Sequence, residues 1–192
     1  MILLAIVDHC YRFRYINIGS PGRCHDALVY GRSKLCKHIE SDYFQSPVSV
    51  IEGVKVPPLV LCDQAFPLSG NLIKPFANAA GPYEAAFNYQ LSRTRRIVEN
   101  AFGRLKARFR YTMKRMECKL PTAKRAIRAA CVLHNICEAL TDPVEQQWMQ
   151  EAHEFDALYP QPVHSTDAAN GQGRQVRTAL ATYFRKRGQL AQ

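Results

Sequence analysis

What the 192-residue sequence lacks narrows it first. It contains no CxxC pair. Its seven cysteines, Cys10, Cys24, Cys36, Cys62, Cys118, Cys131 and Cys137, are scattered and odd in number, which argues against a disulfide framework or a zinc-binding adaptor and for reduced, mostly buried thiols. It has no long apolar run and no internal repeat. The start, MILLAIV, has no basic leader and is interrupted by Asp8, so it is too short for a signal core or a membrane span, and an intracellular compartment is expected. Acids are scarce in one place. Residues 91–130 hold 13 of the 26 Lys+Arg but only Glu99 and Glu117, a local charge of +11 in a chain of net +10. Excess charge concentrated in one segment favours a polyanionic partner, with nucleic acid the first candidate; DNA as that partner would place the protein in the nucleus.

At 47% hydrophobic and 22% charged, the chain is able to build a domain with a real core. Ile2–Val7 and Tyr11–Ile18 read as two strands joined at Asp8–Cys10. After Gly19-Ser20-Pro21-Gly22, HDALVYGRSKLCKHI reads as a helix with Leu28, Leu35 and Ile39 facing a core despite Gly31. Residues 42–58 read as a connection, Leu59–Cys62 as a buried strand ending at Asp63, and residues 64–83 as irregular. Phe87–Arg110 follows as an amphipathic helix, its core-facing stripe running through Thr94, Ile97, Val98, Ala101, Phe102, Leu105 and Phe109. Phe87, Tyr89, Phe102 and Phe109 are taken as core aromatics. A mostly buried helix is expected over Thr122–Leu140, with His134-Asn135 as a hydrogen-bonded structural pair. A further helix is expected to open at Asp142-Pro143 and run to about Leu158, followed by a flexible linker over 159–174 and a helix over 175–192. Val176, Leu180 and Tyr183 or Phe184 are the residues by which that last helix docks back.

Two carboxylates carry the chemical interest. Asp63 ends a strand, and Glu99 is a lone acid on a basic helix, on the shoulder it shares with Arg95, Gly103, Lys106 and Arg110. Gly103, one turn on, leaves approach to the carboxylate open. Hard oxygen ligands beside a basic surface are the ingredients of divalent-metal phosphodiester chemistry. The simpler reading makes Asp63 a turn or cap residue and pairs Glu99 with Arg95. Arg95, Arg96, Lys106 and Arg110 are read as phosphate contacts, which give affinity without sequence choice.

Five segments in order, AIVDHCYRF, SPGRCHDALVYGRSKL, LVLCDQAFPL, FNYQLSRTRRIVENAFGRLKARFR and AACVLHN, resemble the DDE endonuclease domain of PIF/Harbinger-type transposases and the nucleases domesticated from them. The resemblance covers residues 1 to about 140. It implies an α/β, ribonuclease-H-like fold: a mixed sheet of order 3-2-1-4-5 flanked by helices, with an Asp-Asp-Glu triad holding two divalent ions, Mg²⁺ or Mn²⁺. By motif Asp63 corresponds to the second acid and Glu99 to the third.

The family's first acid lies on a strand upstream of the segment that Ile2–Val7 resembles. The resemblance therefore implies an N-terminally truncated nuclease domain over 1–158, with its first strand absent. Asp8 is rejected as a replacement because its strand runs antiparallel to the missing one. Asp26, on the loop after the third strand, is the better substitute ligand, with capping of the helix that starts near Ala27 as its simpler role. The expected activity is metal-dependent DNA cleavage. The alternative is a catalytically inactive fragment, or a domesticated DNA-binding or interaction protein without the chemistry. DNA is the expected partner. The DNA-recognition module that such transposons often place elsewhere, or in a separate partner protein, is not recognisable here, and oligomeric state is left open.

Overall fold

The hydrogen-bonding pattern of the first 22 residues is that of a hairpin: β1 (Ile2–Val7) pairs antiparallel with β2 (Phe13–Ser20). Its turn is closed by Asp8, whose carboxylate accepts bonds from the backbone N–H groups of Cys10 and Arg12 and from Arg12 Nε. Asp8 is therefore occupied structurally. This structure, a computed structural model, describes residues 1–160 and 164–190. The chain is a mixed α/β protein whose strands form three two-stranded sheets among the described residues. The resemblance implied one mixed sheet lacking its first strand; the strands described here pair only two by two.

The helix expected after His25 is two short ones, α1 (Asp26–Gly31) and α2 (Lys34–Ile39). Ser33 sets the break: its Oγ donates to Tyr30 O at 2.7 Å, and it then stands at the N-cap of α2. Leu35 and Ile39 are buried as expected, but Leu28 is 42% exposed, and Val29 and Tyr30 are the residues of α1 that turn inward. After a 3-10 turn at Asp42–Gln45, the segment read as a connection forms a hairpin, β3 (Ser49–Ile51) with β4 (Val54–Val56). Its two-residue loop, Glu52-Gly53, has φ of 49° and 75°, the left-handed pair that matches strand twist and favours glycine at the second position. The strand before Asp63 shortens to β5 (Val60–Leu61), and β6 (Leu72–Ile73) pairs parallel to it inside the stretch expected to be irregular.

α3 (Pro82–Arg108) begins five residues ahead of the expected Phe87. Pro82 suits a first helical position, and Glu84 accepts from the Ala80 N–H at 2.7 Å to tie down the entry. α4 (Leu120–Ala139) and α5 (Gln146–Leu158) follow, the latter opening three to four residues past Asp142-Pro143 with Glu145 at its N-cap. α6 (Gly171–Leu190) starts within the stretch read as linker; residues 161–163 of that stretch, and 191–192 of the expected terminal helix, lie outside the described residues. No described helix is long and apolar enough to cross a membrane.

The chain divides into two compact units. Unit 1 comprises Met1–Gly22 and Arg96–Pro162, with a core of Phe13, Ala101, Leu105, Ala130 and Cys131, against which Phe102, Phe109 and Ile127 pack. Here α4 is bolted to β2 by side chains. Asn135 accepts from Phe13 N–H at 2.8 Å and donates to Phe13 O at 2.9 Å, and the buried His134 ring sits 2.9 Å from Tyr11 O. The structural reading of that pair holds. Burial of α4 does not: Val132, Leu133, Ile136 and Leu140 are each 49% exposed or more.

Unit 2 comprises Arg23–Arg95 and Val163–Gln192, and its core joins Val56, Leu68, Ile73, Phe87 and Leu91 to Val176, Leu180 and Ala181 of α6. Phe184 stacks near Phe87, so the last helix docks through the residues its apolar spacing pointed to. Tyr89, taken as core, is 60% exposed because it lies on the opposite side of α3 from Phe87 and Leu91.

Candidate functional site

Within unit 2 the end of β5 presents Asp63, and local forces place three other groups around it. The Asp63 Oδ1 accepts the Ala65 N–H at 2.9 Å, the turn that the simpler reading anticipated, while Oδ2 lies 3.7 Å from an Arg95 Nη atom. Arg95 therefore pairs with Asp63 and not with Glu99, as the simpler reading had it. The loop that follows carries Phe66 onto the buried Tyr30 of α1, ring centroids 6.0 Å apart. That contact brings the start of α1, and with it Asp26, to Asp63. Burial raises the Asp26 carboxyl above its ordinary range, and the neighbouring Asp63 carboxylate raises it further, against the opposite pull of His164 and His25. Two neighbouring carboxylates favour a shared proton or a cation. Capping is not what Asp26 does: the N-cap of α1 is His25, without a side-chain capping bond, and Asp26 is the first helical residue.

The tail after α5 completes this site, and sequence reasoning missed it. Residues 164–170 lie along the Asp63 loop, with Thr166 N–H donating to Gln64 O at 2.9 Å, Leu68 N–H to Ala168 O at 2.8 Å and Asn170 N–H to Leu68 O at 3.0 Å. His164 thereby reaches His25, ring centroids 4.5 Å apart. Behind them Lys74, only 4% exposed, donates from Nζ to Thr166 O; burial lowers its pKa, partly offset by the nearby Cys62, Asp167 and Asp63. A lysine ending the apolar run Leu72-Ile73 was the one sequence signal for it. The Cys62 thiol beside Asp63 is pushed up to about 12 by burial and is inert at neutral pH.

The other candidates belong to unit 1. Glu99 and Arg96 are exposed on α3, and Glu99 has no ion pair among the described residues. Gly103, expected to leave the approach open, is buried: a Cβ there would sit 3.5 Å from Met149 and 3.7 Å from His153 of α5. Two of the predicted phosphate contacts are engaged by the same helix. Lys106 Nζ pairs with Asp156, and Arg110 lies 3.3 Å from Glu151 with its guanidinium over the Trp148 ring. Arg96, Arg115, Lys119, Arg125 and Arg128 are exposed and outside every ion pair among the described residues. Among the described residues, no group of three or more His, Cys, Asp or Glu side chains is arranged to hold a metal ion.

No curated protein and no solved structure matches the chain. The family model of the DDE superfamily endonuclease matches residues 1–135, through β1 and β2, the Asp26 and Asp63 segments, α3 with Glu99, and most of α4. With that match spanning well over half of its length, the chain belongs to the DDE superfamily endonucleases.

Proposed function

We propose that this protein is a transposase-derived, divalent-metal-dependent DNA nuclease of the PIF/Harbinger type, with a ribonuclease-H-like fold, acting in the nucleus. The observation that carries the proposal is the acid pair Asp26 and Asp63, set beside Arg95 in a chain of an endonuclease superfamily. The donor chemistry fits Mg²⁺ or Mn²⁺: hard carboxylate oxygens, with one or two carboxylates per ion and the remaining positions left to water and phosphate. Asp63 and Asp26 are the ligands from unit 2, and Glu99 is the acid assigned as third ligand by its motif. A divalent ion bound there supplies neutralisation of phosphate charge and acidification of water.

The chain's own residues do the rest. The Ala65 N–H fixes the Asp63 carboxylate through Oδ1, and Oδ2, 3.7 Å from Arg95, is the oxygen that would be offered to a divalent ion. The Arg95 guanidinium beside the acid pair is suited to grip a phosphate in two-point fashion. Arg96 and the exposed basic residues of unit 1 hold the DNA backbone without reading bases, and Lys106 and Arg110 join them by leaving Asp156 and Glu151.

Cleavage of duplex DNA in Mg²⁺ or Mn²⁺ tests the assignment. Asp63→Asn, Asp26→Asn and Glu99→Gln should each abolish it, and cleavage that persists in all three removes the site. The second reading, DNA binding without chemistry, is favoured by the ion pair that Arg95 makes with Asp63. Salt-dependent binding together with no cleavage in either metal would select it.

A further inference from the structure

α4 has two faces, and one of them has no use within unit 1. Val132, Leu133, Ile136 and Leu140 are 57%, 49%, 50% and 72% exposed. With Ala129 and Ala139, also exposed, they form one stripe: positions 125, 129, 132, 136 and 139 step by four, three, four and three residues, the heptad seam of a packed helix pair. The opposite face of the same helix is committed, through Ala130, Cys131, His134 and Asn135, to β2 and α3. About three turns of helix, from Ala129 to Leu140, that present a regular apolar seam to water need a partner.

The charges at the ends of the seam say which partner. At its N-terminal end stand Arg125 and Arg128, exposed and outside every ion pair among the described residues. Past its C-terminal end stand Glu145, exposed, and Asp142, exposed and 3.6 Å from Arg108 Nε, beside the negative pole of the α4 dipole. We infer that the partner is a second copy of this chain, with its α4 packed antiparallel against the first across a two-fold axis. Antiparallel pairing sets Val132 against Ile136 of the other copy and Ala129 against Ala139. It also brings Arg125 to the other copy's Asp142–Glu145 segment, twice. A parallel pair would instead stack Arg125 on Arg125 and Asp142 on Asp142. The small alanines allow close approach of the two helices, and the two-fold makes the contact self-closing. One helix per copy is a small interface, so a dissociation constant on the order of micromolar is expected.

Sedimentation velocity of the full chain over a range from about 1 to 200 µM spans that affinity. The wild type should pass from monomer to dimer. Val132→Glu combined with Ile136→Glu places like charges across each contact and should hold the protein monomeric over the whole range, with circular dichroism and melting temperature unchanged, since both residues are exposed. Orientation is read by mixing Val132→Cys and Ile136→Cys chains under mild oxidation and mapping the disulfide by mass spectrometry: the antiparallel pair gives the mixed 132–136 bond. A wild type that stays monomeric, a dimer indifferent to the double glutamate variant, or cross-links confined to like positions would each overturn the inference.

Discussion

Glu138 offers the sharpest test of how unit 1 is held, because two arginines depend on it. Its carboxylate, 5% exposed, accepts two bonds from Arg104, at 2.8 and 2.9 Å, and a third from Arg108, whose side chain is 6% exposed. The buried His134 ring lies 3.9 Å away. Replacing Glu138 by Ala removes the carboxylate that Arg104 holds and leaves the buried Arg108 guanidinium, whose Nε lacks a hydrogen-bond partner, with Asp142 at 3.6 Å as its remaining acidic partner among the described residues. Breaking one side of a buried pair costs about 3–5 kcal/mol. At roughly 2–4 °C per kcal/mol for a chain of this size, the melting temperature should fall by about 6–20 °C. Glu138→Gln keeps the shape and one acceptor and should cost about half as much.

The sign with pH follows from the same geometry. Burial pushes the Glu138 carboxyl up, but the Arg104 and Arg108 bonds outweigh it and hold the group below its ordinary value. A depressed carboxyl stabilises the fold above its unfolded pKa, near 4.5, and loses that contribution as pH falls through the folded value. Urea unfolding of wild type and Glu138→Gln from pH 7 to pH 3 should therefore converge at the acid end. A Glu138→Ala protein that melts within about 2 °C of wild type, or a stability difference independent of pH, would refute the argument.

Other outcomes follow from single contacts. Asn135→Ala leaves the N–H and C=O of Phe13 unpartnered and should cost about 2–4 kcal/mol in chemical denaturation. If instead it left stability intact and removed only cleavage, Asn135 would be catalytic. Gly173→Ala places a Cβ 2.8 Å from the Ser69 backbone, so it should loosen α6 and raise hydrogen exchange in the Leu68 and Ile73 amides that α6 covers. Arg96→Glu, at an exposed position without an ion pair among the described residues, should weaken duplex DNA binding by anisotropy titration and flatten its dependence on salt, leaving the melting temperature in place. Gly53→Val forces a β-branched residue to φ near +75° and should destabilise the β3–β4 hairpin by about 1–3 kcal/mol.

Local patterns in the sequence determined a good deal. The apolar period over α3 and the Val176, Leu180 and Phe184 spacing in α6 each reported a helix and the face it buries, while the small and apolar residues of α4 reported a helix but not which face is covered, since a helical repeat is written into neighbouring residues. The order of short motifs was enough to find the endonuclease superfamily, and with it Asp63, Glu99 and Asp26 as acids of interest. One hairpin was legible and one was not: Ile2–Val7 with Phe13–Ser20 follows the alternation in the sequence, whereas Ser49–Ile51 and Val54–Val56, joined by Glu52-Gly53, lie among turn formers that suggested a connection.

Only the tertiary structure decided who meets whom. That Arg95 pairs with Asp63, that Phe66 on Tyr30 draws Asp26 to the same place, and that a tail about 100 residues further on brings His164 to His25 are contacts between distant parts of the chain, which no local period encodes. Exposure belongs to the same class. Val132, Leu133 and Ile136 have the residue types of a core, and their place at the surface depends on which face of α4 the side chains of His134 and Asn135 turn toward β2.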